Sequence, residues 1–170
     1  MAERLKARPA ELRDASAIAE IYNQGIKDRV ATFETEPRTP EAIEEVLRAR
    51  AGKYPAVVVE DEHRVRGFAW TSEYRPRDAY AGVAEFSVYV AREARGRGVG
   101  HLTLGALITE AERRGFWKLV SRIFPENVPS RRLCTALGFR EVGTYRRHGK
   151  LEGTWMDCVI VERLLGAAAE

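Results

Sequence analysis

The stretch Ala84-Glu85-Phe86-Ser87-Val88-Tyr89-Val90, running directly into Ala91-Arg92-Glu93-Ala94-Arg95-Gly96-Arg97-Gly98-Val99-Gly100, decides the fold. Glu85, Ser87 and Tyr89 alternate with Phe86, Val88 and Val90, the period of a strand whose two sets face opposite sides of a sheet. Leu102, Leu104, Leu107, Ile108 and Ala111 then recur at helical spacing, up to a stop at Arg113, Arg114 and Gly115. Between them, glycines let the backbone approach a ligand, and the unpaired N–H groups of the helix start point at it. Such a place wants phosphate. Arg92, Arg95 and Arg97 add positive charge at the same mouth, which suits a polyanion better than a lone carboxylate. No Gly-Lys-Ser/Thr follows, and the glycine register and downstream acid of a dinucleotide fingerprint are missing, which argues against a nucleoside triphosphatase or dehydrogenase.

Working outward, Lys118 to Phe124 reads as the next strand, which makes a strand–helix–strand unit with parallel pairing. Upstream, Leu5 to Pro9 is a short strand, and Asp14 is placed to cap a helix carrying Ile18, Ile21 and Tyr22 that Gly25 weakens near its end. Asp28 to Pro40 has no sustained period and reads as a loop or bent helix; Phe33 within it is either a pocket wall or a satellite core residue. Thr39-Pro40-Glu41 starts a second helix with Ile43, Val46 and Leu47 on its apolar stripe. Ala56 to Glu60 and Val65 to Thr71 read as an antiparallel hairpin, with His63 a solvated residue in its turn. Ser130 to Leu137 is a short helix closed by Gly138, and Glu141 to Arg146 and Trp155 to Leu164 are two late strands around a glycine-bearing turn. The expectation is an α/β chain with a mixed, mostly antiparallel sheet flanked by helices, forming one domain over residues 1–170.

Composition narrows the class. With 170 residues, 45 % hydrophobic and 31 % charged, the chain has the make-up of an ordinary globular domain. Lys and Arg exceed Asp and Glu by only 28 to 25, and no basic helix stripe or aromatic platform is visible, so nucleic acid is not an expected partner. Cys134 and Cys158 lack metal-ligand spacing, and His148 has no metal-spaced partner, so no metal is expected. No run approaches a membrane span, and the polar start lacks the apolar core of a signal peptide. The reading is a cytoplasmic protein without a membrane partner.

Arg95, Gly98 and Gly100 match Gln/Arg-x-x-Gly-x-Gly/Ala, and Asn127, Ser130 and Leu133-Cys134-Thr135-Ala136-Leu137-Gly138-Phe139 match Asn-x-x-Ser/Ala-x-x-Leu-Tyr-x-x-x-Gly-Phe. Together these motifs resemble the GCN5-related N-acetyltransferase (GNAT) family over essentially the whole chain. Ile21-Tyr22-Asn23, Thr32 to Pro37, Glu85 to Val90 and Gly153 to Asp157 look most like its phosphinothricin acetyltransferase group, which includes methionine sulfoximine and arsinothricin acetyltransferases. Asp28 to Pro40 and Ser121 to Asn127 look most like the arsinothricin branch.

The resemblance implies the GNAT fold, acetyl-CoA as cosubstrate, a small glutamate-like amino acid as acceptor, and a homodimer. It places acetyl-CoA along Val88, Tyr89 and Val90, on the loop Arg95, Gly96, Arg97, Gly98, Val99 and Gly100, and at Asn127 and Ser130. Glu85 would be the general base, or else a solvated strand carboxylate. Asn127 and Ser130 are equally suited to helix capping. Cys134 stands where most members carry Tyr and the phosphinothricin group often His; it is either a thiol proton donor or an inert buried cysteine. Arg75 and Arg77 are placed to bind the acceptor's acidic head, or simply to solvate a loop, and Phe33 to close the apolar side of the pocket. His101 reads as a helix-surface residue. Acetyl transfer to another amine (a protein N-terminus, polyamine or aminoglycoside) and a CoA-binding module without turnover are the alternatives.

Overall fold

In the computed structural model, which describes residues 4–62 and 64–170, the strand quoted above lies at the middle of a sheet ordered β1-β2-β3-β4-β5-β7-β6. Its members are β1 (Lys6–Pro9), β2 (Ala56–Glu60), β3 (Val65–Glu73), β4 (Val83–Val90), β5 (Lys118–Ile123), β6 (Arg140–Leu151) and β7 (Thr154–Leu164). All neighbours are antiparallel except β4 and β5, the pair joined through the helix, as expected for a right-handed crossover unit. The helices are α1 (Ala15–Asp28), α2 (Pro40–Arg50), α3 (Val99–Arg113) and α4 (Val128–Ala136). His63, read above as a turn residue, lies outside the described residues.

Alternation in the strands dictates the layers. Val58, Phe68 and Trp70 face one side, where Ile18, Ile21, Ile43 and Leu47 bring α1 and α2 down on them. Val57, Ala69, Ala84 and Phe86 face the other, under Leu104, Leu107, Ile108 and Ala111 of α3. Fully burying each such aliphatic side chain contributes about 1.5–3 kcal/mol, so these stripes hold the helices in place.

Three local expectations change. Asp14 makes no side-chain cap to α1; it is buried, accepts a bidentate bond from Arg8 (2.8 Å to each oxygen) and the Glu11 N–H (2.8 Å), and ties β1 to the turn before the helix. Gly25 does not weaken the end of α1, which continues to Asp28; a Cβ there would come within 2.9 Å of the Tyr89 ring, so glycine is what lets helix and strand approach. Thr39 caps α2 as expected, accepting the Ala42 N–H at 3.1 Å. The fourth helix begins at Val128, before Ser130, because Asn127 caps it and Pro129 occupies its first turn.

Candidate active site

Beyond Glu85 and Val120 the parallel pair β4–β5 separates. The Ala91 N–H donates to Arg66 O (2.8 Å), so Ser87, Tyr89 and Ala91 direct their main-chain groups at β3. By the same alternation Phe86, Val88 and Val90 turn theirs toward the gap. Ser121 Oγ donates to Phe86 O at 2.9 Å where the ladder ends, and past that point the N–H and C=O groups of Val88 and Val90 edge an open notch. Of the three residues expected along the cofactor, Tyr89 therefore spends its main chain on β3, opposite Phe68.

At the head of the notch sits the glycine loop. Gly96 and Gly98 have φ of 78° and 81°, left-handed conformations that a side chain would strain, and open space lies above both. Leu102 N–H bonds to Gly98 O (3.1 Å), so the N–H groups of Val99, Gly100 and His101 precede the first intrahelical bond of α3 and are positioned for an anion. Gly100 lets α3 approach α4: a Cβ would stand 3.3 Å from Leu133. Not all of the expected basic charge is aimed outward. Arg92 and Arg95 both pair with Asp28 at the end of α1, Arg95 at 3.0 Å, and the Arg92 N–H bonds Gln24. No sequence signal marks either partner: Gln24 is an ordinary polar residue, and Asp28 opens the segment read as a loop or bent helix, whereas α1 runs on to include it.

The notch, about 50 Å³, is also lined by Asn127, Ser130 and Cys134. Asn127 Oδ1 accepts the Ser130 N–H at 3.4 Å, so it serves as the cap of α4 while facing the notch. Burial, reinforced by the Glu141 charge, pushes the Cys134 thiol up to about 12.

On the other face of the sheet a cavity of about 330 Å³ opens, and it shares Phe86, Ser87, Tyr89, Ser121 and Arg122 with the notch. Glu85 lies in its wall, 3.5 Å from Arg122. Tyr22, Trp70 and Tyr89 form an aromatic side; Tyr22 meets Tyr89 edge-on at 5.1 Å, and burial pushes both hydroxyls up, keeping them neutral. The loop 29–39 closes the cavity. Asn23 clamps it by donating to Arg38 O (3.0 Å) and accepting the Arg38 N–H (2.8 Å), and Phe33 packs edge-on against Phe124 at 4.8 Å and over Gly149. Phe33 is thus at once pocket wall and core residue, in one cluster with Leu151 and Cys158.

Arg75 and Arg77 do not line this cavity. Arg75 stacks over Tyr74 at 5.0 Å on the exposed loop that begins beyond Glu73, while the cavity's own cations are Arg38, Arg50 and Arg122. No sequence period marks that trio, because a loop, a helix end and a strand end supply one each. Among the described residues no group of three or more His, Cys, Asp or Glu is placed to hold a metal.

A splayed parallel pair with a glycine-started helix at its head is a shared architecture, and residues 4–140 match the family model described as the acetyltransferase (GNAT) domain. The chain belongs to the GNAT acetyltransferase family. This acetyltransferase is 35 % identical over 153 residues to a phosphinothricin N-acetyltransferase of Streptomyces viridochromogenes, covering 90 % of the chain and 84 % of the relative. It is 32 % identical to an L-methionine sulfoximine/L-methionine sulfone acetyltransferase of Pseudomonas paraeruginosa, covering 91 % of each. A solved phosphinothricin acetyltransferase from Sinorhizobium meliloti in complex with acetyl-CoA superposes with a TM-score of 0.89 at 34 % identity, over 95 % of this chain and 89 % of that one.

Proposed function

We propose that this acetyltransferase moves the acetyl group of acetyl-CoA onto the amino group of a small glutamate-like amino acid of phosphinothricin, methionine sulfoximine or arsinothricin type, and so detoxifies it. The observation that carries the reading is the shared wall of Phe86, Ser87, Tyr89, Ser121 and Arg122: a main-chain-lined notch and a charged cavity meet beside Glu85. The residues fit acetyl-CoA. The start of α3 and the Arg95–Gly100 loop receive its diphosphate, Val88 and Val90 pair its pantetheine arm as an added strand, and Asn127 and Ser130 flank that arm.

Bound this way, the thioester supplies an activated acyl carbon. Glu85 takes a proton from the acceptor's ammonium, directly or through water, and the freed amine pair forms the C–N bond as the C–S bond breaks. The Val88 N–H holds the oxygen on which negative charge develops, a fixed donor that needs no reorganisation. Cys134 keeps its proton: a thiol near 12 is a weaker acid than an ordinary thiol near 8.5, so it is assigned to the wall of the notch and the sulfur is protonated by the solvent-linked proton pool.

Two coarser features accompany the chemistry. β6 is an outer strand of twelve residues, and Val142, Tyr145 and Trp155 on the β6–β7 hairpin are exposed, which supports a homodimer through that hairpin. Both cysteines are free, and no described helix is long and apolar enough to cross a membrane, which supports a cytoplasmic setting. The deciding experiment is thiol release from acetyl-CoA across a panel of phosphinothricin, methionine sulfoximine, arsinothricin, glutamate, a polyamine and a peptide amine. Release with the glutamate analogues supports the reading; release only with the polyamine or peptide, or with none, overturns it.

A further inference from the structure

The charges at the α2 end of the acceptor cavity are not used by the chemistry above. Arg38, Arg50, Arg122, Glu34 and Glu85 line the cavity. Glu34 lies 3.7 Å from Arg38 and Glu85 lies 3.5 Å from Arg122, so each carboxylate already has a guanidinium partner. Arg50 is left over. Among the described residues no carboxylate stands within ion-pair distance of it. Its guanidinium carbon sits 5.1 Å from the centre of the Trp70 ring, and Nη1 makes one long bond of 3.4 Å to Thr71 O.

A half-buried cation without a counter-ion, beside a second cation, costs stability. Burial and the neighbouring Arg38 charge both push the Arg50 pKa below its ordinary value. Within the fold the guanidinium meets only the Trp70 face and that one long bond, which leaves most of its donors unused. A costly group with donors open to a cavity is what a binding residue looks like before its ligand arrives.

Position specifies the ligand. Trp70 faces Ser87 across the β3–β4 ladder, and Ser72 faces Glu85. Two residues along a strand span about 7 Å, the length of a short amino-acid side chain. An amine delivered to Glu85 therefore puts the far end of such a molecule at Arg50.

We propose that Arg50, backed by Arg38, receives a distal anionic group on the acceptor, so that this enzyme selects amino acids ending in phosphinate, arsinate or carboxylate over those ending in a neutral sulfoximine or sulfone. The inference rests on the acceptor class proposed above and deepens it. The two amino-acid classes share the amine and the α-carboxylate and differ in the charge at the far end.

The test compares wild type with Arg50→Met on phosphinothricin and on methionine sulfone, with acetyl-CoA affinity and thermal midpoint as controls. The variant is expected to raise KM for phosphinothricin about 10- to 100-fold, as loss of a charge-assisted fork requires, and to change KM for methionine sulfone less than about threefold. Acetyl-CoA affinity stays at its wild-type value, and the midpoint rises, which a merely structural arginine would not give. Arg50→Lys, a point charge without the fork, falls between. Equal damage to both acceptors, or none to either, overturns the proposal. If wild type acetylates neither acceptor, the acceptor class has failed instead, and calorimetric titration with dimethylphosphinate decides Arg50: heat lost in the variant supports it, and heat that is absent or unchanged overturns it.

Discussion

The two halves of the site are built from different material. The notch presents main chain: an open strand edge, left-handed glycines and the first N–H groups of a helix. The cavity beside Glu85 presents side chains, drawn from α1, the loop 29–39, α2, β3, β4, β5 and β7. A main-chain site tolerates change in the side chains around it and is broken by change in backbone geometry. A side-chain site behaves in the opposite way. One family can therefore hold one coenzyme while varying the amine.

The largest expected effect comes from the junction itself. Glu85→Gln is expected to lower kcat by about 10²–10⁴-fold, with the KM for acetyl-CoA unchanged, in steady-state thiol-release assays. A loss below tenfold would move the proton-accepting role elsewhere. Next is the main-chain half: Gly98→Val, forced into φ near 81°, is expected to weaken acetyl-CoA about tenfold by calorimetry while leaving the acceptor KM in place, since left-handed backbone costs an L-residue roughly 1–2 kcal/mol. Damage to both affinities would mean the halves are not separable. On the side-chain half, Phe33→Ala is expected to raise the acceptor KM severalfold, because the ring wedged between Phe124 and Gly149 sets the height of the loop over the cavity.

The smallest effect is expected at Cys134. Cys134→Ala keeps kcat within about threefold from pH 6 to 9, since a thiol held near 12 does not titrate there. Its signature is instead in stability. The folded thiol keeps its proton while the unfolded one ionises near 8.5, so the stabilisation it gives is full below that pH and declines as pH rises toward 12. Thermal melts of the wild type above pH 9 should fall more steeply than those of Cys134→Ala. A matched slope would place the thiol in contact with water.

The same division explains what could be read from the residues alone. Gly96 and Gly98 announce a main-chain site because a conformational demand writes itself into residue type, and Gly100 because close helix packing does. Thr39 and Pro40 announce a helix start for the same reason. Arg38, Arg50 and Trp70 carry no such mark: a loop arginine, the last residue of a helix and a strand aromatic become neighbours only after the sheet has formed. Arg75 and Arg77, two apart in sequence and chemically apt, stand instead outside the cavity that contains Glu85, on the exposed loop that follows the end of β3 at Glu73. Asp14 shows the limit from the other side, for a residue type suited to capping was drawn into a buried pair with Arg8 that only tertiary packing creates.

The parting of β4 from β5 carries one more consequence. It makes a window through the sheet, so donor and recipient can enter from opposite sides and depart by their own doors. Neither has to vacate the premises for the other, and the acyl group needs no temporary lodging on the protein. Double-reciprocal plots against both reactants should accordingly cross instead of running parallel.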